Sequence, residues 1–482
     1  MLSRLKEFSK KQIIALIVLA AADVFVIAIP YYLKNIIPNF NLYLGIREDQ
    51  VAILIAIIGI VTLVTQLPGG FLANKFSSRW LLFGAIVSTA MIAIWFGILV
   101  LNQRSYQTTE AQKQVLFAQY AIIWGLWGVT STLIFWTPLW KLVSQQAKKE
   151  NQGFAYGLES SFNGIIGFVL IWALGFLIVT FWIGKLKKNE IPSSGVPFAV
   201  YVFIVAAFLL VVSVLVFTLV PERPLEKAIE DETTEVTPKE KSLWSWDKFK
   251  LAFKEGFKQV KSWKLWALAL FLMGMYTFQT AFPFYVLQTL VNEYKAPTWI
   301  SFILTGILSY GFRIFISWVI GGWADKTRSY ILFLVTSTGL AIVSIIAILL
   351  IGFINNPIVV IVTSIVLFMF IGSLSWAMAT LRYTQLNEIH IEKNSYASSV
   401  GVMSFIGFSL DAWFYPMSSA IGKAYTPKFE QHTSLEGYRI IIIIALVIAF
   451  LGLLAGIAVF VANTRELKRL GKTTYRWREL VN

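Results

Sequence analysis

Runs of about twenty apolar residues, separated by short polar or charged stretches, recur along the whole 482-residue chain. An α-helix of that length crosses the roughly 30 Å hydrocarbon core of a bilayer. The pattern predicts helical spans over residues 13–33, 50–73, 80–101, 115–140, 153–183, 197–220, 264–291, 298–324, 330–354, 358–381, 397–424 and 437–461. The expected fold class is all-α integral membrane, with twelve transmembrane helices. A longer polar interval opening with Pro221-Glu222-Arg223-Pro224 divides them six and six. The organisation this predicts is an N-terminal six-helix bundle over 1–220, a cytoplasmic linker over 221–263, a C-terminal six-helix bundle over 264–461 and a basic tail over 462–482. Inside the linker, Trp246, Phe249, Phe253, Phe257 and Val260 recur at spacings of three and four, with Lys248, Lys250, Lys254, Lys258 and Lys261 mostly between them. That spacing predicts a basic amphipathic helix on the membrane surface, with binding of a partner or of anionic lipid as its functional alternative.

Composition agrees with the pattern: 57% of residues are apolar and 14% charged, and the mean hydropathy is +0.70. A net charge of +15 would suggest nucleic acid in a soluble protein, but its distribution excludes that reading here. Of the 41 Lys and Arg, 29 fall in the N-terminal tail, at the loops that follow even-numbered spans and in the C-terminal tail. Cationic loops stay on the cytoplasmic side, so both termini are expected there, as an even number of spans also requires. Lys10-Lys11 before an apolar run imitates a secretory signal, yet the run to Tyr32 is too long and has no convincing cleavage site, so it is read as the first span. The absence of cysteine removes disulfide, thiolate, iron-sulfur and cysteine-zinc chemistry. His390 and His432 are placed in loops on opposite sides, which leaves no two-histidine metal site. Neither a cofactor nor a metal is expected, and no catalytic constellation suggests an enzyme.

Two segments at corresponding positions carry the clearest motif. Gly70-Phe71-Leu72-Ala73-Asn74-Lys75 and Gly321-Gly322-Trp323-Ala324-Asp325-Lys326 each join the second and third spans of a half and are followed by Arg79 and Arg328. They resemble the paired loop signatures of the major facilitator superfamily, in which small residues allow close helix approach and Lys or Arg fixes the cytoplasmic side. The likeness covers essentially the whole chain and implies two pseudo-symmetric halves, a membrane transporter, a monomer and a gating role for Asn74, Lys75, Asp325 and Lys326. Asn74 replaces the usual acidic residue. The arginine often found ahead of the span 4 glycines and the Gly-Pro motif of span 5 are also missing, which argues against drug efflux.

A charge inside the bilayer is costly and should face a cavity or a partner. Four such residues stand out: Asp23, Glu159, Arg313 and Asp411. Arg313 lies near mid-membrane with Ser309, Tyr310 and Ser317 on its face. It can hold an anion by paired hydrogen bonds or form a fixed ion pair with Asp411 or Asp23. Family members that carry small anions also place an arginine in span 8, which tilts the resemblance towards anions. Asp411, with Gly407 and Tyr415 on its face, is a candidate to take a proton from one side and release it on the other. Asp23 is a second proton candidate or a helix-helix hydrogen bond. Glu159, near the start of span 5 with Asn163 one turn on, is expected at a cytoplasmic gate, and Arg382 and Glu388 as a pair holding the two halves shut. Trp127, Tyr276, Gln279, Tyr285 and Trp376 are candidates to line the cavity beside Tyr310.

These residues predict a secondary active transporter of a small organic anion in the cell (plasma) membrane, proton-coupled or working by exchange. Membrane lipid and a small-molecule substrate are the expected partners. A carrier of a neutral polar solute such as a sugar or nucleoside, and a transporter-like sensor signalling through the basic helix, are the alternatives.

Overall fold

The computed structural model describes residues 8–33, 40–147, 152–178, 195–222, 261–316, 329–354, 356–389, 396–427 and 432–471. The linker stretch 223–260, Asp325 and Lys326, and the tail 472–482 lie outside it, as do the side chains of Asn74 and Lys75. No β-strand occurs among the described residues, and nine helices there are long and apolar enough to cross a membrane.

We label the helices in chain order. In the first half α1 is Lys10–Tyr32, α2 Glu48–Lys75 and α3 Ser78–Asn102. The α4 helix runs as Glu110–Leu133 and Trp136–Gln145, α5 is Gln152–Ile166 prolonged to Phe176, and α6 is Val196–Leu219. In the second half α7 runs as Trp263–Tyr276 and Ala281–Gln288, α8 is Thr298–Gly306 prolonged to residue 316, α9 is Tyr330–Ile351 and α10 Pro357–Leu381. Two pieces, Tyr396–Gly407 and Leu410–Ala424, make α11, and α12 is Leu435–Arg469.

Three expected continuous spans are therefore broken, and two of the breaks have a local cause. Pro138 and Pro283 are each the third residue of the second piece of α4 and α7. A proline there has no N–H for the carbonyl four residues back, so the ladder is interrupted where the helices break. Pro30 lies in a wider π turn, Ala28–Tyr32, that ends α1. Similar π turns occupy Gly167–Ala173 of α5 and Ile307–Gly311 of α8.

Buried apolar side chains gather into two clusters. One spans residues 8–220 and the other 265–459, with Tyr310 and Tyr415 of the second half joining the first cluster. Helix pairing repeats between halves: α1 packs on α5 and α3 on α6, as α7 packs on α11 and α9 on α12. The halves meet through α2 with α11 and α5 with α8. Both contacts depend on glycine, because small residues let helix backbones approach. A Cβ on Gly59 would stand 2.5 Å from the Asp411 carbonyl, and one on Gly164 would stand 2.7 Å from Ile314 and 3.0 Å from the Tyr310 carbonyl.

Candidate functional site

At the α5–α8 contact the charged residues of three helices converge. Arg313 on α8 donates from Nε to Ser160 Oγ at 3.1 Å, from Nη1 to Asn163 Oδ1 at 2.6 Å, and from Nη2 to Asp23 Oδ2 at 3.3 Å. Asn163 Nδ2 donates to the same Asp23 oxygen. The guanidinium also lies 5.4 Å from the centre of the Trp376 ring, whose indole N–H donates to the Leu308 carbonyl. An ion pair therefore joins the first half to the second, with Ser160 and Asn163 fixing the plane of the arginine. Asp23 is buried, while the Arg313 side chain keeps 12% of its surface exposed.

The helical phase of α5 explains part of this convergence. Ser160 and Asn163 are three residues apart and share a face, and Glu159, the residue before Ser160, lies one turn before Asn163. Glu159 is fully buried and feels the charges of Asp23 and Arg313. Neither of its carboxyl oxygens has a well-formed hydrogen bond among the described residues, although the Asn163 side chain lies close enough to act on it. Glu159 thus lies beside the central ion pair.

The π turns of α1, α5 and α8 meet just beyond this cluster. Tyr32 of α1 packs edge-on against Tyr310 of α8 at 5.7 Å, and the Tyr310 ring lies directly over Gly167 of α5. Single-turn π segments inside helices are common at functional sites because they re-aim side chains. Nearby, the Tyr31 hydroxyl bridges Ser131 of α4 at 2.9 Å and Thr62 of α2 at 3.2 Å.

Asp411 takes a different partner from the one considered for it. The Tyr276 hydroxyl donates to its Oδ2 at 2.8 Å, and Arg313 pairs with Asp23 instead. The α11 break places Asp411 in the first turn of the second piece, where the positive end of the helix dipole favours a carboxylate.

Several expected residues lie elsewhere. Trp127 is buried in the first-half core against Phe96 and Trp124, at 5.3 and 5.1 Å between ring centres. Tyr285 bonds to Ser418 and packs on Phe414 and Tyr438, joining α7 to α11 and α12. Gln279 is half-buried at the α7 break. Arg382 and Glu388, expected as an interhalf pair, each have other partners among the described residues. Glu388 accepts from Ser329 Oγ at 2.8 Å and from the backbone N–H groups of Tyr330 and Ile331, capping α9, and Arg382 lies over the rings of Tyr383 and Phe408. Glu222 caps α3 in the same way, accepting from Ser77 Oγ and from the N–H groups of Ser78 and Arg79. Sequence reasoning did not anticipate Ser160 or the Tyr31 bridge. The serine's place one turn before Asn163, on a helix with a buried acid, was the available signal for Ser160.

Residues 13–412 match the profile of the Major Facilitator Superfamily. A Mycoplasma pneumoniae protein, the "Uncharacterized protein MG294 homolog", is 50% identical over 99% of this chain and 98% of its own length. The inner membrane protein YihN of Escherichia coli is 19% identical over 85% of this chain and 86% of its own. Among solved structures, the nucleoside transporter NupG superposes with a TM-score of 0.61 at 15% identity, over 93% of this chain and all of that one. A bacterial homologue of the lysosomal transporter Spinster, inward-facing, gives 0.56 at 14% identity, over 94% of this chain and 97% of its own. The helices and the two-half packing thus belong to a multi-pass membrane transporter and not to an enzyme. The chain is a member of the Major Facilitator Superfamily, and its expected substrate is accordingly a small molecule.

Proposed function

We propose that this chain is a proton-coupled secondary transporter of a small organic anion in the plasma membrane, with twelve transmembrane helices, both termini cytoplasmic, working as a monomer. Its two six-helix halves, 1–220 and 264–461, would rock about the Arg313 cluster and open it to each side in turn. The observation that carries the reading is the Arg313–Asp23 pair, at 3.3 Å and shared between the halves. Three N–H groups of the guanidinium are engaged, which leaves two of its five for a carboxylate. An arriving anion competes with Asp23 for the arginine. A proton taken by Asp23 releases the arginine to the anion, and this couples the two movements. Asp411, held by Tyr276, is the second candidate for the proton.

Arg313→Gln tests the reading. The expected result is loss of carboxylate uptake into vesicles and of carboxylate-induced thermal stabilisation. Carboxylate transport at unchanged affinity in this variant would remove the arginine from the substrate site. The hydroxyl groups of Tyr31, Thr62, Ser131 and Tyr276 favour a second reading, a neutral polyhydroxylated solute, under which Arg313→Gln lowers stability but leaves solute affinity intact.

A further inference from the structure

The Arg313 cluster is satisfied on one side only. Asp23 Oδ2 receives both Arg313 and Asn163. The other oxygen of that carboxylate and the Tyr310 hydroxyl are buried with no hydrogen-bond partner among the described residues, and neither oxygen of Glu159 has a well-formed one, although the Asn163 side chain acts on it. An ionised carboxylate only accepts hydrogen bonds, so these carboxylate oxygens call for donors, and the Tyr310 hydroxyl, which can donate or accept, makes no hydrogen bond to them. Charge points the same way. One guanidinium faces two carboxylates that act on each other, and the other cation acting on Asp23, Arg382, contributes less than Arg313. A buried carboxylate without a partner is costly to keep, and the cost is removed by a cationic donor. The rings of Tyr32, Tyr310 and Trp376 stand around the cluster, and aromatic faces also attract an ammonium group.

We propose that the substrate is amphoteric: its carboxylate meets the open N–H groups of Arg313, and its protonated amine meets Asp23 Oδ1, Glu159 and the tyrosine rings. This rests on the anion reading of Arg313 and narrows it to amino acids and molecules built like them. The two unsatisfied elements, an arginine edge and a pair of acceptors, lie at one site between α1, α5 and α8. A plain organic anion leaves Glu159 unanswered, and a plain amine leaves the arginine edge unanswered.

The test is thermal unfolding of the purified full-length protein with matched compounds. One set is alanine, propionate and ethylamine, another leucine, isocaproate and isoamylamine, and a third phenylalanine, hydrocinnamate and phenethylamine. At least one amino acid should raise the unfolding midpoint, while its deaminated acid and its decarboxylated amine need about tenfold higher concentration or more for the same shift. Glu159→Gln should abolish the preference for the amino acid over the deaminated acid, and Arg313→Gln should abolish binding of both. Equal stabilisation by amino acids and deaminated acids in the wild type overturns the proposal and leaves the anion reading standing, with a proton alone neutralising Glu159. Stabilisation by the amines alone, unchanged in Arg313→Gln, overturns both. No shift with any compound overturns the amphoteric class. Should Glu159→Gln fail to fold, the wild-type comparison still decides, and Glu159→Asp serves as the second variant, with a weakened preference expected.

Discussion

Asn163 acts in two directions at once, accepting from Arg313 through its oxygen and donating to Asp23 through its nitrogen. The ion pair is therefore closed into a triangle, and each charged group has its orientation set by a neutral one. Removing that amide should cost more than the pair's own electrostatics would suggest, because two buried charged groups lose a bond together. Asn163→Ala is expected to lower stability by about 1–3 kcal/mol, and denaturation in detergent measures it. A loss no larger than that of an exposed control such as Gln112→Ala would show that the triangle contributes nothing to the fold. Tyr276→Phe is a gentler change, since Asp411 keeps its place at the start of a helical piece. It should weaken proton-dependent accumulation and leave substrate-driven exchange in place, and equal loss of both activities would tie Tyr276 to the substrate instead. The charged residues were visible in the sequence because a charge inside an apolar run stands out. Which partner each takes was not: Arg313 was open to Asp411 or to Asp23, and Ser160 was not anticipated, because Asp23, Ser160 and Arg313 lie on three helices whose contact no local pattern records.

Helix ends and crossings hold this arrangement in place. Glu222 and Glu388 bind the first N–H groups of α3 and α9 from positions far along the chain, one after α6 and the other after α10. Each satisfies donors that a helix start leaves open and places negative charge at its positive end. Glu222→Ala should cost about 1 kcal/mol, and Glu388→Ala more, since Glu388 is buried. Urea denaturation that ranks Glu222→Ala as the costlier change would contradict the assignment by burial. At the α5–α8 crossing, Gly164→Val puts side-chain atoms where the Tyr310 carbonyl and Ile314 already stand, and about 1–3 kcal/mol of destabilisation is expected. A thermal midpoint equal to that of the wild type would show that the crossing has room. The positions of the nine helices long and apolar enough to cross a membrane among the described residues were legible from hydrophobic length alone. The breaks in α4 and α7 were marked by Pro138 and Pro283, whereas no proline stands at the break in α11 or in the π turn of α8.

Across the whole chain, the two buried clusters and the repeated pairings describe one design used twice. The α2–α11 and α5–α8 contacts exchange places under that repeat, and a glycine-mediated crossing joins the halves at each. If each half carries its own core, a chain cut between 222 and 261 should still assemble. Co-expression of the two pieces followed by purification through a tag on one is the check, and failure of the untagged piece to co-purify would show that the halves need the covalent link. The tie between Asp23 and Arg313 has a further consequence for such a two-part machine. A ligand that displaces Asp23 from the arginine removes a bond between the halves as it binds. Occupancy and shape then become one equilibrium: whatever strengthens the tie lowers apparent affinity, and whatever loosens it raises affinity by the same factor. Variants of Asp23 should therefore hold a plain carboxylate more tightly while shifting the resting population of shapes, although they take one acceptor from the amine of an amphoteric substrate, and a carrier whose affinity rises in this way turns over more slowly.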